Sequence, residues 1–138
     1  MLLLLTFLST ATAAPTKGVR LLGCVGVDAS CVFTGLKLGY NRDYWGASLG
    51  LSLGFVSSVQ LYLRSPKENL RPYAKAGFHV GFATVPGGGV GLDWHFTRSK
   101  KWILSPQVGA SAFIAHVGSE KPELFPSASI DLIYAFGK

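Results

Sequence analysis

The sequence predicts an all-β protein, an up-and-down antiparallel transmembrane β-barrel of about eight strands. Three observations carry this. Apolar residues alternate with small or polar ones along most of the chain, the period-two pattern of strands with two unlike faces. The less greasy face is mainly Gly and Ser, not Lys, Glu, Asp and Arg. Finally, the 138-residue chain is 49% hydrophobic but only 14% charged, below the ~25% usual for soluble domains.

The length suits one domain. Mean hydropathy is +0.34. Beyond the N-terminus, however, no apolar run reaches the ~20 residues that a membrane helix needs. Most of the 17 glycines fall inside the alternating runs, and helix interiors disfavour Gly by ~1 kcal/mol each. A chain this apolar must hide its side chains in a core or show them to lipid by alternation.

In chain order, residues 1–14 (MLLLLTFLSTATAA) form an apolar stretch ending in small residues, as in a secretory signal. Ala11-Thr12-Ala13 places cleavage after Ala13, leaving 14–138 as the barrel domain. No Lys or Arg precedes the stretch, and a buried helix or membrane anchor is the alternative reading. Leu21-Leu22-Gly23-Cys24 resembles a lipoprotein cleavage box, but Lys17 and Arg20 stand where such a signal is still apolar. An exported chain with two cysteines more naturally forms one disulfide. A tight turn at Val27-Asp28 would set Cys24 opposite Cys31; two separate thiols are the alternative.

Strands are expected near 18–27, 31–41, 44–56, 58–64, 71–84, 88–98, 102–116 and 125–136. The first is the weakest pattern, with Val19, Leu21, Val25 and Val27 on one parity. In the second, Leu36, Leu38 and Tyr40 oppose Gly35, Lys37 and Gly39. In the third, Trp45, Ala47, Leu49, Leu51, Leu53 and Phe55 oppose only Gly and Ser. Val59, Leu61 and Leu63 then oppose Gln60, Tyr62 and Arg64. Ala74, Ala76, Phe78, Val80 and Phe82 oppose Tyr73, Lys75, Gly77, His79 and Gly81. Val90, Leu92, Trp94 and Phe96 oppose Gly89, Gly91, Asp93, His95 and Thr97. Leu104, Val108, Ala110, Ala112 and Ile114 oppose Ser105, Gln107, Gly109, Ser111 and Phe113. Ile130, Leu132, Tyr134 and Phe136 oppose Ser129, Asp131, Ile133 and Ala135. Turn signals include Asn41-Arg42-Asp43, Ser57-Ser58, 65–69, Pro86-Gly87-Gly88, 98–101 and 118–122. The last strand is expected to close the barrel against the first.

A soluble carrier barrel is apolar inside and charged outside; a membrane barrel reverses this. The Gly/Ser face suits the cramped lumen of an eight-stranded ring. Trp45, Phe55, Phe78, Phe82, Trp94, Phe96, Tyr134 and Phe136 are then lipid-facing, several near strand ends, as in interfacial girdles. A soluble periplasmic ligand-binding barrel remains the alternative.

Over roughly 18–136 the chain resembles the small eight-stranded outer-membrane barrels of Gram-negative bacteria. The terminal strand of that family ends in Phe, with an aromatic or apolar residue at every second place before it. Phe136, Tyr134, Leu132 and Ile130 match, although Gly137-Lys138 trail the Phe. Residues 71–82 also look like a strand of these barrels. The resemblance implies recognition of the last strand by the barrel-assembly machinery, and both termini on the periplasmic side.

Lys75, His79, Asp93, His95 and Asp131 are expected to form an interior polar network. With a hairpin turn at 85–88, His79 would face Asp93 or His95. That group is the candidate catalytic site, since His accepts a proton from Ser when a carboxylate orients it. Ser48, Ser52, Gln60, Arg64 and Gln107 approach from other strands in that reading. Two His and one Asp are also a conceivable metal site. The bland alternative is a plug of mutually satisfied buried charges. Lipid-hydrolysing barrels carry their sites on the outer face, where only His116 is available here, without an acidic neighbour.

The net charge is +6 and the pI about 9.6. Alternating turns place Arg42, Lys67, Arg71, Arg98, Lys100 and Lys101 in a basic rim at the end carrying the termini, with Lys17, Arg20 and Lys138. Asp28, Glu120, Lys121 and Glu123 lie at the other end. A basic rim suits anionic headgroups or an acidic partner. Nucleic acid is not expected as a partner, because the basic groups are spread around a ring; no phosphate-cradling loop is evident, and no cofactor or metal is called for. The expectation is a monomeric outer-membrane barrel with short loops and a packed interior. Its role is structural, in membrane integrity, or the passage of very small solutes; a lipid-modifying hydrolase is the enzymatic alternative.

Overall fold

The computed structural model describes residues 18–65, 68–115 and 121–136. They form β1 (Gly18–Asp28), β2 (Cys31–Asn41), β3 (Trp45–Leu51), β4 (Gly54–Tyr62), β5 (Leu70–Gly81), β6 (Ala83–His95), β7 (Trp102–Ala115) and β8 (Glu123–Ala135). Each strand pairs antiparallel with the next, and β8 pairs with β1, so the sheet closes into an eight-stranded up-and-down barrel. The expected signal segment 1–13, Lys17, Lys67, His116, Glu120 and Gly137-Lys138 lie outside the described residues.

The weak first strand is a full member of the barrel. Arg20 to Val27 pair with Ala135 to Ala128, and the Phe136 amide donates to the Val19 carbonyl at 2.9 Å. One end, the near mouth, carries the start of β1, the end of β8 and the turns around 42–44 and 96–101, together with the end of β4 and the start of β5. The far mouth carries the turns at Ala29-Ser30, Ser52-Leu53 and Phe82.

Three expected turns move. Ser57 and Ser58 lie inside β4, and the chain reverses instead at Ser52-Leu53, with Leu53 at φ 48°. Pro86-Gly87-Gly88 lie inside β6, and β5 and β6 meet around Phe82. The first hairpin turns at Ala29-Ser30, so Asp28 stands opposite Cys31 and Cys24 opposite Gly35. In each case an apolar or small residue occupies the true tip. Pro86 and Pro106 sit on β6 and β7, where the ladder is interrupted around 85–86 and 105–106. Proline has no N–H to give there.

Burial is inverted relative to a water-soluble protein. Val25, Leu38, Leu49, Leu61, Val90 and Val108 are all exposed on the outer wall. The lumen buries Arg20, Lys37, Arg71, His79, Asp93 and Asp131. The buried apolar cluster within it is small: Leu22, Ile103, Ile133 and Ala135, on the β1–β8–β7 side.

Candidate functional site

The lumen is a stack of polar layers, and strand parity builds it. Every second residue of each strand points inward, and those residues carry the charges. At the near mouth, Arg20 Nη1 donates to Tyr62 Oη at 3.2 Å and to Asp93 Oδ2 at 3.3 Å. Tyr62 Oη in turn donates to Asp93 Oδ2 at 2.8 Å. The Arg71 guanidinium lies 3.9 Å from the Tyr62 ring centroid and donates to the Asp43 carbonyl at 2.6 Å. Midway, Lys37 Nζ donates to both oxygens of Asp131, at 2.8 and 3.0 Å. Beside it, Tyr73 shares a 2.7 Å hydrogen bond with Ser105, and Ser48 one of 2.8 Å with Ser58.

Toward the far mouth the β1–β2 hairpin does not simply end at the rim. Its tip, Asp28-Ala29-Ser30, is buried and reaches the inner wall. Ser129 donates to Asp28, and Lys75 donates to Ser30 and to Gln107 Oε1. The Lys75 ammonium is 3.6 Å from the Asp28 carboxylate. Ser52 Oγ accepts from the Val32 amide at 2.8 Å and so ties the returning strand to the β3–β4 turn. Cys24 and Cys31 form a disulfide with Cα atoms 6.1 Å apart. They are not cross-strand neighbours, as a turn at Val27-Asp28 would have made them. The inward fold of the tip brings Cys31 back to Cys24.

The expected catalytic group is split. His79 stands opposite Val85 at the far mouth, whereas Asp93 stands opposite Arg71 near the other end. Arg71 is eight residues before His79 on β5, which at ~3.3 Å per residue is a separation of about 26 Å. His79 Nε2 contacts the Leu53 carbonyl at 3.2 Å, and His95 Nδ1 the Lys100 carbonyl at 3.3 Å. Asp93 is engaged by Arg20 and Tyr62 and orients neither ring. Ser48, Ser105 and Ser129 bond to other partners. No Ser-His-Asp relay and no two-His metal site is assembled from these residues. Among the described residues, no group of three or more His, Cys, Asp or Glu could hold a metal ion.

Lys75, His79, Asp93, His95 and Asp131 all face the lumen, but in separate layers and not in one network. Among their partners, Lys37 and Tyr62 were not expected as lumenal bonding groups, whereas Arg20 and Asp28 were expected at the two rims and are instead buried in the lumen. The signal was present: Lys37 and Tyr62 share the parity of the Gly/Ser face. Among the described residues, four cations inside the barrel (Arg20, Lys37, Arg71, Lys75) meet three carboxylates (Asp28, Asp93, Asp131), apart from Lys100 buried in the near-mouth turn.

The rim needs correction too. Arg42, Arg98 and Lys101 are exposed at the near mouth, but Arg71 is fully buried, Lys100 nearly so, and Arg20 turns inward to pair with Asp93. Arg71 has inward parity, and Lys100 adopts φ 53° in a turn whose amide bonds back to Thr97. Arg64, expected among the lumenal groups, is exposed and pairs with Glu68 at 3.0 Å.

Trp45, Phe55, Phe78, Phe82, Trp94, Phe96 and Phe136 are exposed on the outer wall. Tyr134 shares that wall but is half-covered by Trp102 and Phe136, at centroid distances of 5.0 and 4.9 Å. The amphipathic aromatics on this wall (Trp45, Trp94, Trp102, Tyr40, Tyr44 and Tyr134) all lie toward the near mouth, whereas Phe33, Phe55, Phe78 and Phe82 lie toward the far one. No protein-family model matches this chain, and neither does any curated protein or solved structure.

Proposed function

We propose that this protein is an integral outer-membrane β-barrel with a packed polar interior, serving membrane integrity and not bulk transport. The observation that carries the reading is the inverted burial of a closed barrel. Its outer wall is apolar around the ring, while its lumen holds four cations and three carboxylates. In water, such a wall is an exposed apolar patch far beyond what soluble monomers carry. In lipid it is the expected solvent-facing surface. The strands run from 7 to 14 residues, around the ~9–11 that a tilted strand needs to cross a bilayer.

The near-mouth Trp and Tyr residues suit one headgroup interface, and exposed Arg42, Arg98 and Lys101 suit anionic lipid beside it. The terminal strand, with Ile130, Leu132, Tyr134 and Phe136 outward, is the segment proposed to engage the assembly machinery. The filled lumen favours a closed barrel that passes at most very small solutes. A hydrolase reading lacks its relay, because His79 is remote from Asp93. Fractionation tests the proposal. The expected result is recovery with the outer membrane, extraction only by detergent, and gel migration that shifts on heating. Recovery in the aqueous fraction without detergent would overturn it in favour of a soluble periplasmic barrel.

A further inference from the structure

The tip of the first hairpin occupies a place a ligand could fill. β1 and β2 bend inward at the paired residues Gly26 (φ 143°) and Phe33 (φ 66°). Gly tolerates such a backbone; Phe adopts it rarely. Beyond the bend, Asp28-Ala29-Ser30 cross the lumen to β5, β6, β7 and β8. The receiving wall is lined by small residues: its inward positions include Gly77, Gly87, Gly89 and Gly109, three of which let neighbouring strands approach closely while Gly87 faces the tip. A Cβ on Gly87 would meet the Ser111 hydroxyl first, then the Ala110 carbonyl at 2.8 Å and the Ala29 Cβ of the tip at 2.9 Å. A cavity of about 20 Å³ remains beside the tip, and the buried hydroxyl of Ser111 on its lining has no partner.

Two polar groups of this wall, Lys75 and Ser129, bond to the tip. Lys75 reaches Ser30 and Asp28, and Ser129 donates to Asp28 while accepting from Gln107. An ammonium and a hydroxyl converging on one carboxylate make a charge-assisted grip. The disulfide confines that carboxylate to the lumen, since Cys31 follows the tip directly and is bonded to Cys24 on the inner face of β1.

We propose that Asp28-Ala29-Ser30 is the internal occupant of a carboxylate-binding cup, formed by Lys75, Gln107 and Ser129 on the glycine wall. The Cys24–Cys31 bond keeps the cup filled. A small carboxylate, or an acidic side chain with a neighbouring hydroxyl, binds there once the tip is released. A tethered occupant competes at an effective concentration in roughly the millimolar range, so the closed form excludes weaker ligands.

The test uses the full chain folded in detergent micelles, with acetyl-Asp-Ala-Ser-amide as the probe in calorimetry. Wild type should show no binding. The variant C24S/C31S/D28A/S30A, which frees the tip and strips its grip, should bind with a Kd at least about tenfold below the highest peptide concentration at which wild type shows none. Adding K75M should abolish that binding, and the Asn analogue of the peptide should fail. A folded, heat-modifiable variant that ignores the peptide would overturn the proposal, and so would binding indifferent to K75M. Should the quadruple variant not fold, folded wild type treated with a phosphine reductant replaces it. Amide exchange of residues 27–32 should then accelerate about tenfold and accelerate further with peptide. Exchange unmoved by either treatment refutes the cup.

Discussion

The ion pair between Lys37 and Asp131 gives the sharpest test of how the lumen is held together. Both side chains are 1% exposed, and the ammonium sits 2.8 Å from one carboxylate oxygen. At that distance, and with an effective dielectric constant near 20, the gross attraction is about 6 kcal/mol. Desolvation costs several kcal/mol per ion, so the pair as a whole contributes little net stability. Removing one partner is different, because the other charge then stays buried and uncompensated. Asp131→Ala should therefore lower stability by about 3–5 kcal/mol, and Lys37→Met by a similar amount. The double variant K37M/D131L carries no orphan charge and should recover to within about 1–2 kcal/mol of wild type. Reversible denaturant unfolding in lipid vesicles, followed by tryptophan emission, measures all four species. A single variant that costs less than about 1 kcal/mol would refute the buried pair. A double variant as unstable as the sum of the two singles would refute the coupling between them.

Three further outcomes follow from the same geometry. A Cβ at Gly91 would run into the Tyr73 phenol, which is 1% exposed and held by Ser105, so Gly91→Ala should cost ~1–3 kcal/mol, with relief on adding Tyr73→Leu. Equal stability of Gly91→Ala and wild type would show that the ring is free to move. Val108, 62% exposed near the middle of β7, separates the two environments of the outer wall. In lipid Val108→Arg should cost ~2–4 kcal/mol, whereas on a wall facing water it should stay within ~0.5 kcal/mol. Cys24 and Cys31 should resist alkylation in the denatured oxidised chain and each take one alkyl group after reduction, read by intact mass. Alkylation before reduction would contradict the bond.

What sequence reveals about this chain divides by physical cause. Which face a residue takes was legible within the strands, because side-chain direction follows parity and parity has only two values; Arg64, beyond the end of β4, escaped the rule. Lys75, His79, Asp93, His95 and Asp131 all point inward, as the alternation required. Register was not legible, because a strand slipped by any even number of residues shows the same alternation. His79 was expected opposite Asp93 or His95 and stands opposite Val85, eight or ten residues away. Cys24 was expected opposite Cys31 and stands opposite Gly35, four residues on. Both displacements are even. Each preserved the inward set while changing which members of it meet, and that is how a correct interior produced a false catalytic group.

Turn chemistry normally removes this ambiguity, since Pro, Gly, Asn and Ser mark reversals in water. Here the markers point the wrong way for a reason that fits the outer wall. Leu53 and Phe82 stand at far-mouth turns, 60% and 64% exposed. Conversely, Ser57, Ser58 and Pro86-Gly87-Gly88 lie within strands. A reversal that dips into an apolar medium gains nothing from polar residues. A narrow lumen, in turn, needs Gly and Ser within its strands to admit Tyr73 and the hairpin tip. The features that misplace the turns are thus the same ones on which the proposed membrane setting rests. If Leu53→Ser and Phe82→Ser proved neutral in lipid vesicles but raised solubility in water, the far-mouth turns would be ordinary aqueous loops, and that link would break. The expectation is the reverse: weaker insertion into vesicles, with the barrel register unchanged.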